Sequence, residues 1–431
     1  MRAGCQRFAG LVLSVICFGL LAFDSAAAAE DPDRYALQSV SMSLSNELAG
    51  AHADLTTSFS LAEEGNKPFA LTRDVLVSLP PGMIGNPQRF PRCSFGEFGE
   101  RPEENECPQD AQVGVSELTL GGETSGTLIE PVYNMYSPGG DIVARFGLFA
   151  GPFPTVINVR VNPVDYSLVA TVEGAPAAAA LVSASTTLWG VPASSLHDEF
   201  RLTPQEALDH KLPPGGRASQ QPEVPFLSNP TDCSSDREVT VTVRSYPSPE
   251  RPSTMSAPFP QLSGCENLSF TPAFTAAPTN PEASAPTGLH AVLEIPQNEQ
   301  PKGRATSTLK KAVVTLPPGL TLNPSAGDGL EACGPEEVGF GTTQPANCPD
   351  AAKIGSVEID VPALEHVLHG EIYQRTPDPG GLFRFWLVTD EQGVHLKLPA
   401  EIQANPLTGQ LTTVFAGISS LGGNPQVPVE A

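Results

Sequence analysis

Val75-Leu76-Val77-Ser78-Leu79-Pro80-Pro81-Gly82 returns in outline as Ala312-Val313-Val314-Thr315-Leu316-Pro317-Pro318-Gly319. Each is a short β-rich run closed by a rigid corner, because proline cannot donate to a ladder and glycine accepts the positive φ of a sharp turn. Asn86-Pro87 follows the first corner and Asn323-Pro324 the second, both 7 residues after the leucine. The correspondence continues in order through Cys93 and Cys333, Cys107-Pro108 and Cys348-Pro349, Val113-Gly114 and Ile354-Gly355, and Tyr133 and Tyr373. It ends with Gly139-Gly140 and Gly380-Gly381, then Arg145-Phe146 and Arg384-Phe385, all at offsets of 237 to 241. Upstream, Gly50 and His52 match Gly288 and His290. So many ordered coincidences mark a duplicated unit.

Around this repeat the composition is that of a loop-rich β protein. There are 45 prolines and 39 glycines among 431 residues, and only 17% are charged, which argues against helical bundles and coiled coils. The stretches 115–120, 155–161, 168–172, 239–243, 355–361 and 394–398 alternate as strands do. One helix start stands out, the capping box Thr203-Pro204-Gln205-Glu206, stopped by Pro213-Pro214-Gly215. The fold expected is all-β: tandem immunoglobulin-like β-sandwich domains with long Pro/Gly-rich loops and very little helix. The first copy is placed at 35–180. A middle β region covers 181–284, with a short helix near 203–210 and a proline-rich linker at 271–286. The second copy, 285–431, is expected to be incomplete at its C-terminal end.

Residues 1–29 read as a secretory signal: Arg2 and Arg7, an apolar run over 8–23, then Ser25-Ala26-Ala27-Ala28-Ala29 ahead of Glu30. Its removal takes Cys5 and Cys17 and leaves Cys93, Cys107, Cys233, Cys265, Cys333 and Cys348. An even set in an exported chain reads as disulfides, and it falls into three local couples, Cys93–Cys107, Cys233–Cys265 and Cys333–Cys348, with separations of 14, 32 and 15. No zinc-knuckle spacing competes. The chain is expected to be secreted, at or near the cell surface, without a covalent wall-sorting signal and without membrane insertion once the signal is cleaved. A formal charge of -24 disfavours nucleic acid and anionic membranes as partners, which leaves cell-wall or extracellular glycan or protein.

The strand ending around Leu79 and Leu316 resembles that of immunoglobulin-like repeat domains in bacterial surface proteins. Five further stretches are similar to a group of exported actinobacterial repeat proteins. They are 49–55 (Ala-Gly-Ala-His-Ala-Asp-Leu), Thr187-Leu188-Trp189-Gly190-Val191-Pro192 with His197-Asp198 and Arg201, Phe226-Leu227-Ser228-Asn229-Pro230-Thr231, Gly264-Cys265, and Pro286-Thr287-Gly288-Leu289. This resemblance covers most of the chain after the signal. It implies export and duplicated β-domains, and it implies no reaction.

The densest set of reactive side chains is Trp189, His197, Asp198 and Arg201, outside the duplicated segments. Catalysis there would use His197 as base with Asp198 or Glu199 as orienter. Sequence neighbours do not face each other, however, and no Gly-x-Ser-x-Gly elbow supplies a nucleophile, so a packed tryptophan beside a polar turn is the plainer reading. His366 and His369 are spaced for opposite faces of a strand, and their first-copy counterparts are Gly126 and Ile129, against a shared metal site. The acidic groups Glu30-Asp31-Asp33, Glu103-Glu104-Glu106 and Glu336-Glu337 lack a calcium-loop pattern and read as solvated faces. Lys67, Lys302, Lys310 and Lys311 have no specific support as isopeptide donors. Tyr133 and Tyr373, at equivalent positions, could with Trp189 line a ligand surface, although each reads more readily as a core residue. No cofactor or metal is expected. The function read from the residues is a non-catalytic exported spacer or binding and adhesion platform. The alternative is a secreted carbohydrate-active or other hydrolytic enzyme centred on Trp189 and His197.

Overall fold

The computed structural model describes residue 31 and residues 33–122, 126–209, 216–233, 236–321, 329–361, 363–376 and 383–415. The expected signal with Cys5 and Cys17, the Pro213-Pro214-Gly215 stop, Asn323-Pro324, Gly380-Gly381 and the expected incomplete end after 415 lie outside the described residues.

The chain is predominantly antiparallel β-structure, as its patterning requires. The first unit contains β1 (Leu37–Leu44), β2 (Leu55–Leu61), β3 (Thr72–Ser78), β4 (Ile84–Gly85), helix α1 (Phe95–Phe98), β5 (Gln112–Leu120), β6 (Gly126–Met135) and β7 (Ala144–Ala150). It continues with β8 (Phe153–Val161), β9 (Leu168–Val172), β10 (Leu181–Leu188), helix α2 (Pro204–Leu208), β11 (Leu227–Ser228), β12 (Glu238–Ser245) and β13 (Ser253–Pro258). Eleven of these strands form one sheet in the order β1-β2-β10-β5-β6-β7-β8-β9-β3-β12-β13. Period-two alternation sets which face is inside: in β12, Val239, Val241 and Val243 are fully buried while Thr240 and Thr242 point outward.

The sheet rolls until its edge strands meet. β1 packs beside β13, and the Leu37 amide donates to Ser253 Oγ at 2.9 Å. Register shifts in β1, β5, β10 and β12 supply the bends that such curling needs. A single rolled sheet therefore stands where two stacked immunoglobulin-like layers were expected. The middle block is not a body of its own either, because β10 enters between β2 and β5 while β12 pairs with β3. Local patterning cannot reveal such pairings, since the partners lie more than 60 residues apart. The short β4–β11 ladder lies beside Phe226, whose ring meets Phe90 and Phe146 edge-on at 5.3 and 6.1 Å.

Beyond the first unit come β14 (Ala273–Pro278), β15 (Leu289–Glu294), β16 (Ala312–Thr315), β17 (Lys353–Ile359), β18 (Leu368–Gln374), β19 (Phe383–Glu391), β20 (Val394–Ala404) and β21 (Leu411–Phe415). The stretch expected to be an extended linker instead forms an exposed hairpin of β14 and β15, with Pro272 and Pro278 at its ends, where a missing N–H costs least. The other strands make a six-stranded sheet in the order β16-β21-β20-β19-β18-β17. They repeat β3 and β5 to β9 of the first unit, down to a register shift after Gln112 in β5 and after Lys353 in β17. Tyr166 joins the units by packing with Ile359, Val361, Leu368, Val394 and Leu396.

All three expected disulfides are present. In each copy the first bridged cysteine lies at the foot of a loop pinned to the sheet, Cys93 beside Met135 and Cys333 beside Arg375. Helix α2 carries its capping box, with Thr203 Oγ1 accepting from the Glu206 amide and Glu206 accepting from the Thr203 amide.

Candidate functional site

The residues around Trp189 do converge, in the interior. Trp189, His197 and Arg201 are 2%, 5% and 1% exposed. The His197 ring stacks on the indole with centroids 4.6 Å apart, and the Arg201 guanidinium lies 5.5 Å from the same ring. Arg201 donates to the carbonyls of Pro192 and Arg217 at 3.0 and 2.9 Å and approaches Asp198 at 3.5 Å. Burial lowers its pKa from the usual arginine value, with Asp198 opposing the shift. The carboxylate facing His197 is neither Asp198 nor Glu199. It is Asp54, 3.1 Å from Nε2, whose other oxygen accepts from the Gly190 amide at 2.8 Å. His197 Nδ1 is buried with no hydrogen-bond partner in the protein, so the pair has no hydroxyl to activate. The arrangement staples the 189–201 segment to the sheet.

Tyr133 is fully buried in the cluster of Cys93, Phe98, Cys107 and Phe149, and burial raises its phenol well above the usual value. Tyr373 is 8% exposed, and its hydroxyl bonds Glu371. Neither ring is offered to solvent. His366 and His369 are exposed, and His369 faces Glu391 at 3.5 Å. Among the described residues, no group of three or more His, Cys, Asp or Glu side chains is placed to hold a metal ion. Lys67, Lys302, Lys310 and Lys311 all lie on the surface.

A far larger concavity than any around Trp189 lies elsewhere among the described residues. Rolling the first sheet leaves a cleft of about 1350 Å³, partly open to solvent, that runs on along the inner face of the second sheet. Val77, Leu118, Phe146, Ile157, Ala170 and Leu188 line it in the first unit, and Val314, Ile359, Ile372, Phe385 and Leu398 in the second. Several of these, among them Val77, Ile157 and Ala170, are only half-buried although they point inward. The few polar groups within are hydroxyls such as Ser116 and Thr186, which bond each other at 2.8 Å. The charged or titratable side chains along the lining are the exposed His290, Lys311 and Glu358 and the buried Tyr166. Sequence reasoning read most of these positions only as members of strand-like runs, without saying what their inner face meets. No local signal separates the two cases, because alternation is the same whether a strand faces another sheet or a void.

A separate recess of about 70 Å³ holds three buried atoms without protein partners, His52 Nε2, Asn86 Oδ1 and Asn229 Oδ1, the size and polarity that ordered water fills. No family model, curated protein or solved structure matches the chain. Among the described residues, no helix is long and apolar enough to cross a membrane.

Proposed function

We propose that this protein is a non-catalytic exported binding module that encloses a long apolar molecule, of acyl or isoprenoid type, in its rolled sheet. The supporting observation is the cleft of about 1350 Å³ lined by aliphatic and aromatic side chains of both units. Apolar surface left wet costs about 25 cal/mol per Å², so an apolar occupant that displaces that water stabilises the fold. The binding-platform reading of the sequence thereby acquires a ligand class. The scaffold is read as a duplicated rolled sheet rather than as tandem immunoglobulin-like sandwiches, and kinship with exported actinobacterial repeat proteins fits it. The hydrolytic alternative draws no support from Trp189 and His197, which are sealed and lack a nucleophile.

Titration with a fluorescent C16 to C18 fatty acid tests the reading. Saturable binding with a rise in Tm is expected, and Ala170→Trp or Val77→Trp, which fill the cavity from neighbouring strands, should each abolish it while the circular dichroism stays unchanged. Absence of binding across fatty acids, phospholipids and isoprenols, or binding indifferent to both tryptophans in folded variants, overturns it.

A further inference from the structure

The two copies differ at one edge. In the first unit, β5 is covered along its length by β10, antiparallel from Leu181 against Leu120 to Leu188 against Gly114. In the second unit its counterpart β17 is, among the described residues, the terminal strand of the six-stranded sheet. Gly114 is glycine for a reason the structure displays: a Cβ there would lie 2.3 Å from the Thr187 carbonyl oxygen of β10. Its φ is ordinary, so the requirement is space for an incoming backbone and not a turn. Gly355, the matching residue of β17, keeps the glycine although a Cβ there would meet nothing nearer than the Ile372 side chain at 3.5 Å. The preceding residues diverge in the same sense. Val113 is fully buried, and its carbonyl accepts from the Trp189 amide at 2.9 Å, whereas Ile354 is 49% exposed.

We infer that β17 is a strand-acceptor edge, and that its occupant is a β10-type strand donated by another polypeptide: extended, uncharged, alternating hydroxylated and small aliphatic residues. Main-chain hydrogen bonds supply the affinity, as in other sheet-edge additions. The space kept at Gly355 supplies the selectivity, because the donor's carbonyl must approach the acceptor as closely as Thr187 approaches Gly114. The inner-facing residues of β10, Ala184, Thr186 and Leu188, line the cavity, so a strand docked in the same way on β17 extends the apolar wall of the second unit. An exposed edge with alternate apolar residues otherwise invites indiscriminate pairing.

The test uses the whole chain and a labelled synthetic peptide with the sequence of residues 179–192. Saturable binding is expected, with new protection from amide exchange confined to 353–359. Gly355→Val should weaken it by about tenfold or more, since the added methyls meet the incoming backbone, while leaving Tm and exchange elsewhere unchanged. A peptide N-methylated at alternate residues should not bind. The proposal is overturned if the amides of 353–359 are already protected without peptide, if protection appears at 112–120 instead, if a β17-paired dimer excludes the peptide, or if Gly355→Val binds as well as the native chain.

Discussion

His197 reaches only Asp54 with one ring nitrogen, and its ring lies flat on Trp189, between the end of β10 and the segment that leads to α2. Trp189→Ala should therefore cost about 3–5 kcal/mol in urea unfolding, as expected for an enclosed tryptophan that leaves a cavity. His197→Ala should cost about 1–3 kcal/mol, because it removes both the ring packed on Trp189 and the bond to the half-buried Asp54. Neither change should alter ligand binding beyond what lost stability explains; a stable His197→Ala protein that fails to bind the fatty acid would point to a direct role. The copies also exchange volume residue by residue. In the first unit Phe98 packs over Gly147, where a Cβ would come within 3.0 Å of its ring, and in the second Val338 and Trp386 hold the matching positions. Glu130, on the inner face of β6, has its carboxyl pushed up from the usual 4.5 to about 8 by burial. A raised acid favours the protonated folded state, so the stability it allows is complete below about 4.5 and is lost as pH climbs through about 8. The urea midpoint should fall between pH 5 and pH 8.5, roughly, and Glu130→Gln should flatten that slope.

At the scale of elements, the cysteine loops are short and local, and so the sequence could name them. Closing a ~15-residue loop is worth about 3 kcal/mol by chain entropy. Replacing Cys93 and Cys107 together by alanine should cost about that much in reversible unfolding and should raise amide exchange first in 94–106, leaving β12 and β13 protected. The capping box of α2 was legible for the same reason, since its partners are three residues apart. Strand β10 was legible only as a strand. Its place between β2 and β5 depends on backbone edges contributed from 123–133 and 61–74 residues upstream, which period-two alternation does not encode. The β14–β15 hairpin was hidden by its prolines, which read as linker yet sit harmlessly at strand ends.

For the molecule as a whole, duplication provides two inner faces, and Tyr166 with its neighbours locks them so that one apolar surface continues into the other. Occupancy of that surface should act on both units at once. A fatty acid that binds should raise the Tm of a single shared transition and not that of one unit alone, as calorimetry can read. Two independent transitions with only one displaced would confine the ligand to one sheet.

The sequence by itself determined the β class, the duplication, the three cysteine couples and the capped helix, because each rests on alternation, on corner residues or on contacts a few residues apart. Tertiary structure alone decided that eleven strands roll into one sheet, that Asp54 and not Asp198 faces His197, that Trp189 is packing, and that the inward apolar residues border a cavity. The physical reason is common to all four: each depends on which distant backbone edges pair and on how far the sheet curls before its faces meet, quantities set by the whole chain at once.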